Sequence, residues 1–378
     1  MKASVFLKKV VLRFEQYADR LAVTILRLPR LLLARPIVSL IGPLVLISKA
    51  PSTLASRDKP HVLILRNKYH SSRPDQAGFE ELYIDNTLRA SKLATFEVLT
   101  YDHDFLLSPL ADLQFIARCS AVRPDAIILS SWGMAPRHPS INSFRFIRER
   151  LGIPVAALWW DTCSEAFWQF LPPYMKQFDV HVIMDNPALR FADKKDPLFH
   201  RVLPLWPLQD GNLFCPGATR DIPVSFSGQV SSYRSYRQET IDHLIDQEIP
   251  GHIKTDNSGR QASHAAYADL LRRSKLSINF SYSVSCHQLK GRVFDVMLSG
   301  AMLLESENDQ ISKLFTPMKD YVPFSSKEDL VEKIRHYLSN EQEAEKIAQQ
   351  GRATTLTSYN SERFWEILLD KLDLTERP

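Results

Sequence analysis

From residue 60 onward the chain alternates short apolar runs with stretches of helical period. Apolar runs bounded by turn residues predict buried strands at His61–Leu65, Phe96–Thr100, Ala126–Ser130, Val155–Trp159 and Val180–Met184. Amphipathic stretches predict helices at about Phe79–Leu93 and at Ser143–Leu151. A second series follows, with strands at Val224–Phe226, His252–Lys254, Leu276–Phe280, Met302–Leu304 and Tyr321–Pro323. Helices predicted at Tyr236–Ile245, His264–Ser274 and Lys327–Leu338 alternate with them, and Ala344–Gln350 and Ser361–Leu372 close the chain helically. Strands that alternate with helices argue for parallel, doubly wound α/β sheets. Two series argue for two such domains, and the proline-rich stretch Pro204–Pro223 is the natural linker between them.

The most informative stretch is His287–Glu305. It predicts a loop, a helix opening near Gly291 with Phe294, Met297 and Leu298 on one stripe, a stop at Gly300 and a buried strand. Arg292 falls in the first turn, where the helix dipole disfavours a cation by roughly 0.3–1 kcal/mol. Something anionic is expected beside it. Asp295, one turn on, is one candidate; a ligand phosphate is the other, because helix N-terminal amides also point at anions.

The N-terminal segment has a different pattern. At 100° per residue Leu7, Val10, Val11, Phe14, Ala18, Leu21, Ala22, Ile25 and Leu28 share one face, with Lys9, Arg13, Gln16, Arg20 and Arg27 opposite. That is a basic amphipathic helix of the kind that lies in a headgroup layer. The following apolar run, Leu31–Ile47, is broken by Arg35, Pro36, Gly42 and Pro43 and is short for a hydrocarbon core of about 30 Å. It predicts shallow insertion; a helix packed on the protein's own body is the alternative. The expected location is cytoplasmic, peripheral on the inner face of the membrane.

Composition narrows the function classes. The 378 residues carry a net charge of +4, but residues 1–59 hold 11 Lys/Arg against 3 Asp/Glu. The basic charge therefore belongs to the N-terminus and not to a nucleic-acid-binding face on the body. Cys119, Cys163, Cys215 and Cys286 lie far apart, with no metal-site spacing, and fit buried thiols in a reducing compartment. No phosphate-loop motif and no nucleophile elbow is present.

Taken in order, several runs resemble GT-B glycosyltransferases, especially the CgeB-like (spore-protein-like) group. The runs are Trp159-Trp160-Asp161, Leu203-Pro204-Leu205 through Phe214-Cys215-Pro216, Val224–Phe226 with Ser227-Gly228, and Arg292-Val293-Phe294-Asp295 with Ser299-Gly300-Ala301. The likeness continues through Leu314-Phe315, Tyr321–Phe324 and Gly351-Arg352, and covers roughly residues 60 to 370. It implies two Rossmann-like doubly wound domains facing across a cleft. The expected layout is a membrane-associating segment 1–56, an acceptor domain 57–215, a nucleotide-sugar domain 216–355 and a closing helix 356–378.

The resemblance also implies roles. Asp295 stands where the group has the Glu that accepts the ribose hydroxyls, and His287 stands seven residues before it plus one, where retaining members carry their first Glu. Arg292, Arg234 and Arg237 are candidate diphosphate ligands, since Arg forms bidentate contacts with phosphate. Gly228 gives close backbone approach at a strand end, and Glu305 ends another strand, as a ligand group or as a solvated strand end. Arg234 and Arg237 have solvated helix positions as their alternative reading. For the acceptor hydroxyl, Asp161 is the best-placed general base, with a helix N-cap as its other reading; His70, Asp75 and Glu80 are weaker candidates. The expected function is metal-independent transfer of a hexosyl or related sugar from a nucleotide-activated donor to a glycan or lipid-linked acceptor. No cofactor and no nucleic acid is expected, and stereochemistry stays open. A catalytically degenerate GT-B-like binding or partner protein is the alternative.

Overall fold

The computed structural model describes residues 34–46, 57–70, 73–106, 110–130, 137–160, 162, 176–186, 199–228, 235–255, 263–283 and 286–375. The expected amphipathic helix over residues 7–28 lies outside them, as do Asp161 and Arg234. The chain divides into two compact units, drawn from Met1–Trp159, Phe170–Val182 and Leu368–Pro378, and from Trp160–Gln169 and Ile183–Ile367.

The first unit begins with a helix over residues 34–46 (α1). Ala34 and Val38, one turn apart, are buried, while Leu40, Ile41 and Leu44 on its other side are 74%, 41% and 64% exposed. The helix thus packs on the body by one face and leaves an apolar face open. No described helix is long and apolar enough to cross a membrane. The sheet that follows is built from β1 (His61–Arg66), β4 (Thr95–Thr100), β5 (Ala126–Ser130), β6 (Val155–Trp159) and β7 (Val180–Ile183), in the order β4-β1-β5-β6-β7; β8 (Val202–Pro204) falls in the second unit's stretch of chain. A small hairpin, β2 (Tyr69–His70) and β3 (Arg73–Ala77), interrupts the first crossover. β1, β5 and β6 are apolar along nearly their whole length because both faces are covered, the signature of a parallel sheet.

The helix expected over Phe79–Leu93 forms with a π-turn at Glu81–Asp85 before α2 (Asn86–Ser91). α4 (Ile141–Leu151) also stands where expected. α3 (Leu110–Val122) was not foreseen. Its buried face reads Ala111, Asp112, Phe115, Ile116, Cys119 and Ser120, a helical spacing masked by the polar Asp112 and Ser120. Asp112 is inside because it accepts the Ser140 N–H at 2.5 Å, which caps the approach to α4. Phe115, Phe144 and Phe178 pack through this core, tilted and then edge-to-face, with centroids 4.9 and 5.4 Å apart.

The second unit has a five-stranded parallel sheet of β9 (Ile222–Gly228), β10 (His252–Thr255), β11 (Ser274–Asn279), β14 (Met302–Ser306) and β15 (Val322–Phe324), ordered β10-β9-β11-β14-β15. A hairpin of β12 (Tyr282–Ser283) and β13 (Cys286–His287) precedes the site helix. Its helices are α5 (Ser235–Asp246), α6 (His264–Arg272), α7 (Gly291–Leu298), α8 (Lys327–Ser339) and α9 (Glu341–Ser358); α10 (Ser361–Lys371) begins in this unit and ends in the first. Val224, Phe226, Leu276, Ile278, Met302, Leu304 and Val322 carry its core, with Ile334 and Ile347 from the covering helices. The proline-rich stretch is not a loose tether. Leu205, Trp206, Leu208 and Phe214 are buried, and Trp206 Nε1 donates to Asn360 O at 3.2 Å.

Candidate functional site

In a doubly wound sheet, ligands bind outside the carboxyl ends of the strands where the strand order reverses. The second sheet reverses between β9 and β11. Their pairing runs from Ile222/Ser274 to Ser225/Ser277, where the two hydroxyls meet at 3.1 Å. Beyond that point Phe226–Gly228 and Ile278–Asn279 continue without mutual pairing, so a crevice opens there.

Arg292 occupies this crevice. It sits in the first turn of α7, and its Nη1 donates to Asn279 Oδ1 at 3.2 Å. A Cβ added at Gly228 would lie 3.1 Å from the same nitrogen and 2.9 Å from the Phe226 ring. Gly228 is therefore required for the guanidinium to approach the strand end. Of the two anions expected beside Arg292, Asp295 is not its hydrogen-bond partner. The guanidinium donates to Asn279, a neutral amide, and acts on Asp295 only through its charge.

Asp295 lies one turn further along α7 and is 4% exposed. It faces α6, where the Tyr267 hydroxyl approaches it and favours its ionised form, although among the described residues Asp295 Oδ1 and the Tyr267 hydroxyl make no hydrogen bond of regular geometry. Burial holds the Asp295 carboxyl well above the usual carboxylate range, against the opposing pull of the Arg292 charge. The Tyr267 phenol is raised too, first by burial and then by Asp295. A buried carboxylate approached by one hydroxyl keeps acceptor capacity for further donors.

Glu305, at the end of β14, was expected as a ligand group or a solvated strand end. It is fully buried, which corrects the second reading. It accepts from Asn279 Nδ2 at 2.6 Å, Ser281 N at 2.9 Å and Ser306 Oγ at 3.3 Å. Burial pushes its carboxyl up to about 7, despite these donors. Arg237 is likewise no solvated helix cation. Its guanidinium lies 5.5 Å from the Phe280 ring centroid and donates to Phe280 O at 2.8 Å, tying α5 to the end of β11.

His287 ends the β12–β13 hairpin, paired with Tyr282, and its Nδ1 lies 2.7 Å from Asp309 Oδ1. Next to it is a cluster that the sequence reading did not single out. Asp185, just past β7 and 2% exposed, accepts from Thr162 N at 2.9 Å, from the Thr162 hydroxyl and from Gln288 Nε2 at 2.9 Å. Its carbonyl receives the Leu289 N–H at 2.9 Å. One buried carboxylate thus holds the neighbours of both expected catalytic residues, Asp161 and His287. A carboxylate directly after a buried strand was the available signal, the same signal that selected Asp161.

At the end of β1 in the first unit, Arg66 is buried and contacts Asp85 at 3.0 and 3.1 Å through Nε. Glu80 is buried nearby, whereas the side chains of His70 and Asp75 lie outside the described residues. Trp159 serves the core, its indole Nε1 donating to His181 Nδ1 at 3.1 Å.

Residues 221–370 match the family model described as glycosyl transferase-like. No curated protein matches the sequence. Among solved structures, Anabaena HepE in complex with UDP and glucose is 12% identical, with 83% of this chain and 99% of that chain covered and a TM-score of 0.58. Sucrose-phosphate synthase from Thermosynechococcus elongatus is 11% identical, with 84% and 100% covered and a TM-score of 0.58. A glycosyltransferase from Rickettsia africae is 11% identical, with 84% and 99% covered, at a TM-score of 0.58. At these identities the likeness is one of fold. The chain has the two-sheet α/β fold of the GT-B glycosyltransferases, with its glycosyl transferase-like segment in the second sheet and its helices.

Proposed function

We propose that the protein is a glycosyltransferase that moves a sugar from a nucleotide-activated donor, with the nucleotide held by the second unit. The observation that carries this reading is the crevice between β9 and β11. It places a cation hydrogen-bonded to a neutral amide, Arg292, one helical turn from a buried carboxylate with acceptor capacity to spare, Asp295. A nucleoside diphosphate offers the complementary groups: two ribose hydroxyls that donate to Asp295 and a diphosphate that accepts from Arg292. The amide end of α7 adds to the positive field at the diphosphate. This assigns the leaving-group charge to protein cations and dipoles, a metal-independent arrangement with the nucleotide sugar as substrate and no resident cofactor.

On the acceptor side, Asp161 is assigned as general base and His287 as a donor to the departing diphosphate. The likeness of Trp159-Trp160-Asp161 to the CgeB-like strand end supports the placing of Asp161, and the Asp185 clamp on Thr162 and Gln288 supports both. The acceptor is a glycan or lipid-linked hydroxyl compound at the cytoplasmic membrane face. The basic N-terminus and the open apolar face of α1 support that location.

The test is a calorimetric panel of UDP-, GDP-, CMP- and dTDP-sugars, followed by assay of nucleotide release with and without acceptor glycans. Binding of one class with acceptor-dependent release is expected. Tight donor binding with no turnover on any acceptor or water would turn the assignment to a binding protein. No binding of any class would remove the donor site.

A further inference from the structure

Glu305, a ligand group or a solvated strand end by sequence, is taken out of solvent by the fold, and its contacts show another use. Both its oxygens receive protein donors: Asn279 Nδ2 on Oε2, and Ser281 N and Ser306 Oγ on Oε1. Above its pKa of about 7 the Glu305 carboxylate only accepts hydrogen bonds, whereas an Asn amide has one donating and one accepting end. The carboxylate therefore dictates which end of Asn279 faces it. With the NH2 turned to Glu305, the amide oxygen is left facing the crevice, where it accepts from Arg292 Nη1 at 3.2 Å. Rotated by half a turn, the same amide would set its NH2 against the guanidinium, donor against donor.

We propose that Glu305 is a positioning residue that orients the Asn279 amide and thereby aims Arg292 across the Gly228 end of β9. Packing alone does not account for a carboxylate here. A buried ion at the end of an apolar strand costs stability, and an apolar side chain would fill the space without that cost. What the apolar residue would lack is the power to fix an amide. The proposal rests on the donor-site reading for the identity of Arg292's ligand, a diphosphate; the orientation of Arg292 itself does not depend on it.

The chemistry supplies its own control. In E305Q the side-chain oxygen stays with the Ser281 N–H, so the new NH2 faces Asn279. The Asn279 amide must then turn and repel Arg292. In the double variant N279D/E305Q the ladder is rebuilt, because the Gln NH2 donates to one Asp oxygen and Arg292 donates to the other. Crystal structures without ligand read the guanidinium directly. Arg292 should leave residue 279 in E305Q and return to it in the double variant.

Titration with UDP and with uridine provides the functional readout. E305Q should bind UDP about ten- to hundredfold more weakly, the range for one charge-assisted hydrogen bond, with uridine unchanged. The double variant should recover most of the UDP affinity. An unmoved Arg292 in E305Q overturns the proposal. So does an equal loss of UDP and uridine that the double variant fails to restore, which marks general damage. If the wild-type protein binds no nucleoside diphosphate, the donor reading fails, and the ligand-free structures still decide whether Glu305 aims Arg292.

Discussion

At the scale of single residues, the buried carboxyl of Asp295 carries a cost. Burial outweighs the opposing Arg292 charge and Tyr267 hydroxyl, so its ionised form is disfavoured in the free protein. Its folded-state pKa lies above the unfolded value. Such a group contributes stability that is fully present below the unfolded pKa, near 4, and is lost as pH rises through the folded pKa. Asp295→Asn has no such titration. The variant should gain stability relative to the wild type as pH rises from 4 to 8, seen as a growing difference in melting temperature. The same variant should bind nucleosides more weakly. A pH-independent difference between the two proteins would mean that Asp295 ionises as freely folded as unfolded. Asp185 carries the opposite expectation. Asp185→Ala strips acceptors from Thr162 and Gln288, and should cost about 1–3 kcal/mol in denaturant unfolding.

Arg292 and Asp295 were legible in the sequence because a cation in a helix's first turn is an electrostatic anomaly that names its own position. Asn279 and Tyr267 were not. The first sits inside an apolar strand run and the second inside a helical stripe, where each reads as ordinary filling. Only the pairing of β9 with β11 brings Asn279 to Arg292, and that pairing is long-range.

At the scale of elements, strand centres and helix types were legible, and the exceptions have physical causes. Gly351 reads as a helix stop before the closing helix, yet α9 runs through it to Ser358. The glycine is there for contact: a Cβ would lie 2.2 Å from the Asp320 carbonyl oxygen. By helix propensity Gly351→Ala should stabilise by close to 1 kcal/mol. The contact reverses the sign, and the variant should lose about 1–3 kcal/mol, measured by denaturant unfolding. A gain would show that Asp320 can move away freely. Gly300, by contrast, is a true stop, with φ of +75° after α7. α3 escaped the sequence reading because Asp112 and Ser120 interrupt its buried face, and only their partners justify them inside.

At the scale of the whole molecule, alternating periodicity gave two parallel α/β units, but not their strand orders. Those depend on which strand ends meet, and the two sheets share the reversal beside their first strand. The N-terminal segment is where sequence pattern and structure combine. α1 uses Ala34 and Val38 on the body and leaves Leu40, Ile41 and Leu44 open, in a region of strongly basic sequence. Replacing these three with Ser should release the protein from anionic vesicles while the unfolding midpoint stays nearly constant. Each burial of a Leu or Ile side chain is worth about 1.5–3 kcal/mol at most, so a shallow contact through three of them is sensitive to their loss. Undiminished vesicle binding would move the contact away from α1.

The central claim is that the start of α7 holds the diphosphate and ribose of a sugar donor. Calorimetry of Arg292→Ala and Asp295→Asn, each with a nucleoside and its diphosphate, tests it most directly. Arg292→Ala should weaken the diphosphate far more than the nucleoside. Asp295→Asn should weaken both alike, by about 1.5–3 kcal/mol for a lost charge-assisted hydrogen bond to ribose. Wild-type affinities in both variants would contradict the account and remove this helix from the donor site.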